Sequence, residues 1–279
     1  NGKPGEYLTD RLTVEAEQFI EQNKKRPFFL YLSYYSVHTP LQAPKERVAK
    51  YEKKPKGERH KNATYAAMVE SVDRSVGRVM ARLEKLGLAK NTVVIFTSDN
   101  GGHGRITSHQ PLRGNKGNFY EGGIRVPLIV KWPGVIKPDS TCKVPVISTD
   151  YYPTLLAMTG QPARPKQHVD GRNLLPLLKQ TGTVKREALY WHYPNYIGAG
   201  HPGGARPCSV IRSGDWKLIE SLETNRLELF NLKEDLGEQN DLAAKMPAKA
   251  KALQQQLAAW RAEAKVQMPQ RNPDYKAGE

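Results

Sequence analysis

Thr92-Val93-Val94-Ile95-Phe96-Thr97-Ser98-Asp99-Asn100-Gly101-Gly102 is the stretch whose reading decides the fold. Its first six residues are β-branched or aromatic, a short run of the kind that forms a buried strand. The run then stops on a carboxylate, a carboxamide and two glycines. Oxygen donors therefore sit on a turn at the carboxyl end of a strand, the edge where open α/β sheets bind ligands.

Upstream of this strand, Val69, Val72, Val76, Val79, Met80 and Leu83 keep a 3.6-residue period, which predicts a helix over residues 62–86 with Gly87 at its C-cap. Further back, Leu12, Ala16, Phe19 and Ile20 predict an amphipathic helix over 9–23. Pro27 ends it, and the mostly apolar run 28–35 reads as a buried strand of a parallel sheet, with His38-Thr39-Pro40 just past its end. Downstream, 128–132 reads as a strand and 150–158 as a short helix. Helices alternating with buried strands predict an α/β domain, a mainly parallel central sheet flanked by helices. After Pro176 the strands shorten (188–191, 209–211, 216–219 and 227–230) and turn residues separate them, which predicts antiparallel hairpins. A closing helix carries Ala250, Leu253, Leu257 and Trp260 on one face. The expected division is residues 1–184 for the α/β domain and 185–279 for a small α+β subdomain.

The chain has 279 residues, and 43 Lys and Arg against 28 Asp and Glu give it a net charge of +15, which suits an anionic partner. The basic residues are scattered and carry no RNA-binding or zinc-finger signature, so nucleic acid is set aside. No apolar run approaches the ~20 residues that span a bilayer. Two cysteines, Cys142 and Cys208, allow at most one bridge.

Asp99 and Asn100 are hard oxygen donors suited to Ca²⁺, or less well to Mg²⁺, although two ligands fall short of the 6–8 that calcium takes. Residues 111–127 combine four glycines, three basic residues and one glutamate. Such a loop can wrap a tetrahedral anion around the Lys116 ammonium, with a Glu121–Arg125 ion pair pinning it. His38 is a candidate donor to an oxyanion or a leaving oxygen. His103, His109, His192 and His201 are candidate substrate contacts by their place near this edge or on a facing loop. His60 and His168 have no evident partner.

Three segments, Val37–Pro44, Phe96–Gly102 and Leu112–Pro127, resemble in order and spacing the type I, formylglycine-dependent sulfatases of the alkaline phosphatase superfamily. Similarity continues through Tyr65–Asp73, Thr149–Leu156, Arg212–Ile219 and Glu228–Leu232. The resemblance implies that Asp99 and Asn100 are calcium ligands, that Lys116 binds the sulfate and that His38 handles the leaving oxygen. It also implies a sulfated carbohydrate or aryl sulfate as substrate, and a periplasmic or secreted protein. The Cys/Ser-x-Pro-x-Arg motif that becomes formylglycine is absent: Cys208-Ser209-Val210-Ile211-Arg212 has Val210 in place of the proline, and Cys142-Lys143-Val144-Pro145 fails likewise. The expectation is therefore the C-terminal portion of a sulfatase, inactive alone and partnered by an N-terminal portion of the same protein. A phosphodiester or phosphonate hydrolase of the same superfamily and a non-catalytic anion-binding module are the alternatives.

Overall fold

The apolar stripe near the N-terminus forms helix α1, Leu8–Asn23, whose Ala16 and Ile20 are buried. Helix α2, Lys45–Glu52, was not anticipated, because it buries none of its residues and so carries no apolar stripe to read. Arg47 holds it instead, reaching Asp10 at 3.1 Å and Ser71 at 2.7 Å. Helix α3, Ala63–Lys85, starts where Asn62 accepts the Tyr65 N–H at 2.9 Å and ends before Gly87, whose φ of 70° the glycine tolerates without a Cβ clash. Ile20, Leu83 and Ala89 form the core between these elements, with Phe28, Leu30, Val79 and Val94 packed on it.

The computed structural model describes residues 2, 5–196, 206–270 and 272–274. Strand β1, Val94–Thr97, is followed by the one-turn helix α4, Glu121–Ile124, and strand β2, Leu128–Lys131. β1 and β2 pair antiparallel, with Val94 opposite Lys131 and Thr97 opposite Leu128. This corrects the expected parallel pairing: all strand pairs among the described residues are antiparallel. Residues 28–35 are not assigned as a strand, although they alternate in burial as strand residues do. Phe28 and Leu30 pack on the core, whereas Phe29, Tyr31 and Tyr35 are 69%, 82% and 73% exposed. The period-2 pattern is set by sequence, but a ladder needs a partner strand to bond with.

Next come helices α5, Tyr151–Met158, and α6, Leu175–Leu178. The antiparallel hairpins then appear as expected: β3 Leu189–Tyr193, β4 Cys208–Ser213, β5 Trp216–Ser221 and β6 Leu227–Asn231, in spatial order β3-β4-β5-β6. One face carries Ile211, Leu218 and Leu229 and packs on Ala250, Leu253 and Leu257 of helix α7, Pro247–Glu263. Trp260 stacks on Tyr190 at 4.8 Å between ring centroids. The opposite face carries Cys208, Val210, Ile219 and Phe230, and Phe119 and Tyr120 of the glycine-rich loop pack on it. The loop is thus part of the core of this sheet rather than a surface excursion.

Two compact units result: Asn1–Thr97 with Arg105–Ser108 and Pro127–Thr141, and Ser98–Gly104 with His109–Val126 and Cys142–Glu279. The sheet β3–β6 begins just beyond the 184/185 boundary read from sequence, while the glycine-rich loop joins the second unit.

Candidate functional site

In the second unit, Asp99 is exposed and Asn100 half-buried, and the Asn100 amide donates to Asp99 Oδ2. Two polar heads therefore converge at the tip of the turn. Behind them the backbone is locked. Gly101 N–H donates to Gly123 O at 2.9 Å, and Lys116 N–H donates to Gly102 O at 3.0 Å. A Cβ on Gly101 would run into the Gly122 carbonyl, and one on Gly123 would meet Asn118 O. Glycine is required here for close backbone approach, the use the sequence pattern suggested. The turn with Asp99 and Asn100 and the loop with Lys116 are one stitched piece. Lys116 itself is exposed.

Glu121, at the start of α4, is almost wholly buried. The expected Glu121–Arg125 ion pair is present at 3.5 Å, but it is the edge of a larger cluster. Lys217 on β5, fully buried, lies 3.0 Å from Glu121 Oε1 and 2.9 Å from Glu238 Oε1, and Arg212 on β4 lies 3.6 Å from Glu121 Oε2. The Glu238 Oε1 contact is a close ion pair without hydrogen-bond alignment, while Glu238 Oε2 accepts the Glu121 N–H at 2.6 Å. Burial pushes the Glu238 carboxyl above the usual carboxylate range, against the pull of Lys217. Burial, and then a hydrogen bond from the Tyr120 hydroxyl to Glu228 at 2.8 Å, raise the Tyr120 pKa in the same way.

The histidines separate into different roles. His38, exposed in the first unit, has Nδ1 2.7 Å from the Thr39 carbonyl. That oxygen can only accept, so Nδ1 carries a proton and Nε2 is left to meet other groups. His103 is half-buried just past the Asp99 turn. His109 braces the turn: its Nε2 accepts the Gly102 N–H at 2.8 Å. His192 Nε2 donates to the Gln267 carbonyl at 2.8 Å and Nδ1 pairs with Ser209 Oγ at 2.8 Å, so both ring nitrogens are occupied within the protein. This corrects its reading as a facing-loop contact, since it sits on β3. His201 lies outside the described residues. His60 meets Thr107 Oγ at 3.1 Å and His168 accepts the Arg164 N–H at 3.0 Å.

Sequence reasoning passed over Asp150. It is fully buried, accepts the N–H groups of Ile147 at 3.0 Å and Arg172 at 2.8 Å, and pairs with Arg186. Its sequence signals are its place at the start of the predicted helix 150–158 and within the Thr149–Leu156 similarity.

No cluster of three or more His, Cys, Asp or Glu fit to hold a metal occurs among the described residues. Asp99 and Asn100 carry oxygens of the kind a hard cation takes, but it is the Asn100 NH2 group that faces Asp99, so the carboxamide oxygen would have to turn inward and the remaining ligands would have to come from other groups. Neither cysteine suits conversion to formylglycine. Both are free; Cys208 is buried on β4, where burial pushes its thiol up to about 12.

The family model described as Sulfatase matches residues 1–161, and that for the N-sulphoglucosamine sulphohydrolase C-terminal region matches residues 115–265. The chain belongs to the sulfatase family. A sulfatase of Formosa agariphila is 39% identical over 91% of this chain and 50% of its own length. Human steryl-sulfatase is 39% identical over 69% of this chain and 33% of its own length. The crystal structure of Ps i-CgsB in complex with k-i-k-neocarrahexaose superposes with a TM-score of 0.79 at 32% identity, covering 91% of this chain and 55% of that one. The α/β sulfatase fold is thereby shown, and the chain spans half or less of the length of these two curated relatives.

Proposed function

We propose that the complete protein carrying this chain hydrolyses sulfate monoesters, those of sulfated carbohydrates first, and that residues 98–126 supply part of its metal and sulfate site. The backbone bond from Lys116 to Gly102 carries the proposal, because it ties the lysine's backbone to the turn that bears Asp99 and Asn100. A sulfate monoester spreads negative charge over its oxygens and adds more on the leaving oxygen as the S–O bond breaks. Lys116 offers three donors and a point charge to the sulfuryl oxygens. His38 is proposed as the donor to the departing oxygen, with the Thr39 carbonyl holding its Nδ1–H. Asp99 and Asn100 hold calcium in this reading; Mg²⁺ suits an open, two-headed turn less well. Bound Ca²⁺ supplies charge neutralisation at the sulfuryl group. The Cys/Ser-x-Pro-x-Arg motif that becomes formylglycine does not occur in this sequence.

A carbohydrate substrate is supported by the Ps i-CgsB oligosaccharide complex and by the net charge of +15. His103 and His201 are proposed to select the substrate, whereas His192 has both ring nitrogens committed elsewhere. We extend the proposal to a periplasmic or secreted location, which fractionation of the native host checks. The deciding assay offers the complete protein an aryl sulfate, a sulfated oligosaccharide and a phosphodiester, with Ca²⁺ and with chelator. Calcium-dependent sulfate release is expected, and faster turnover of the phosphodiester overturns the choice of anion.

A further inference from the structure

We propose that Lys217, Glu121 and Glu238 are positioning residues: a buried trio on the antiparallel sheet that sets Lys116 and the Asp99–Asn100 turn in place. What the site does rests on the sulfatase reading; how the site is held does not.

Three observations carry the inference. The trio packs on the sheet face that holds Val210, Ile219 and Phe230, where well-packed apolar side chains in place of all three charges would carry no desolvation cost. Stability alone does not call for charges there. The trio is also wired directly to the site. Glu238 Oε2 takes the Glu121 N–H, Glu121 continues into Gly122 and Gly123, and Gly123 O takes the N–H of Gly101 beside Asn100. By a second route, the Arg113 guanidinium donates to the Glu238 carbonyl at 2.9 Å, and Arg113 O accepts the Gly122 N–H at 2.7 Å, three residues before Lys116. Finally, the connection has no slack. Cβ atoms on Gly101, Gly122 or Gly123 would all strike backbone, Arg113 lies 3.8 Å over the Tyr120 ring, and Glu238 is held at φ 52°, a left-handed conformation unfavourable for a non-glycine residue. Displacing Glu121 therefore displaces the two ends of the site together.

Arg212 and Arg125 are the other charges facing the trio, both on Glu121 Oε2. None of the three residues is exposed enough to touch a substrate. Any effect on turnover must pass through the loop, and misplacing a catalytic group by 1 Å costs on the order of 100-fold.

The test uses the complete protein with an aryl sulfate. Glu238→Ala removes the acceptor for the Glu121 N–H, and we expect kcat to fall roughly 10- to 100-fold with little change in KM. Glu238→Gln keeps an acceptor and stays close to wild type. Lys116→Ala should cost less in the Glu238→Ala background than in wild type, because Lys116 is already misplaced. A folded Glu238→Ala protein with wild-type kcat, or strictly additive losses, overturns the proposal. Hydrogen exchange at Gly101, Lys116, Gly122 and Gly123 is read alongside: selective acceleration supports the proposal, and unchanged or uniformly altered exchange overturns it. Should the complete protein release no sulfate, the sulfatase reading fails alone, and the exchange measurement still decides the positioning role. If Glu238→Ala does not fold, the pair Lys217→Met/Glu238→Met, which removes both charges and the acceptor together, serves in the same exchange experiment with the same two outcomes.

Discussion

Two sets of polar residues lie within one stretch of the second unit and its supports, and they are treated oppositely. Asp99, Asn100 and Lys116 stand at or near the surface, and Lys116 spends only its backbone on the fold. Glu121, Lys217 and Glu238 are shut away, with every charge facing another charge. Exposed polar heads cost the fold little and are available for outside chemistry. Buried ones are desolvated, so they act only through what they hold.

The sharpest way to break this contrast is Lys217→Met. It strands Glu121 and Glu238 with less positive charge, and loss of one partner from a buried ion cluster costs about 3–5 kcal/mol. Urea unfolding measures it; a loss below about 1 kcal/mol would show that the cluster is not the anchor described. Lys116→Ala is the mirror image. Stability should stay within about 0.5 kcal/mol, as for other surface changes. Sulfate-ester turnover by the complete protein should fall about 10²–10³-fold, as when a charge-stabilising donor is lost. Asp99→Ala should likewise leave the melting temperature nearly unchanged while weakening Ca²⁺ binding by calorimetry, about 10-fold or more. Unchanged calcium affinity removes Asp99 from the metal site.

Glu238→Gln gives the smallest effect, and its sign follows from linkage. The folded carboxyl titrates above its unfolded value of about 4.3, because burial favours its neutral form. The stability this group contributes is present below that unfolded value and is lost as pH rises through the raised folded pKa. A glutamine cannot ionise. The variant should therefore match wild type in acid and be equal to it or up to about 1 kcal/mol more stable at neutral pH. A variant that loses ground to wild type as pH rises would contradict the assignment.

Much of the fold was legible along the chain. The 3.6-residue period of Val69 to Leu83, with Asn62 and Gly87 as punctuation, marked α3 to within a residue or two. The short runs after Pro176 gave the four antiparallel strands. Helix α2 leaves no mark in the sequence because it buries nothing, and residues 28–35 read as a ladder strand because periodicity reports which side chains face inward, not whether a neighbour is there to bond. For the candidate site, glycines beside polar residues flagged Asp99, Asn100 and Lys116. Lys217 gave no such signal: a lysine among Trp216, Leu218 and Ile219 reads as the solvent face of a strand. Its partners Glu121 and Glu238 lie 96 and 21 residues away in sequence.

By itself the sequence determined the local conformations, the family resemblance and the residues able to bind an anion or a cation, because periodicity, capping and side-chain chemistry act over a few neighbouring positions. Only the tertiary structure decided that β1 and β2 run antiparallel, that His109 and His192 brace backbone, and that three distant charges meet beneath the Lys116 loop. The reason is that burial converts a solvated charge into one that must find its counter-charge, and which partner it finds depends on what packing brings within about 4 Å.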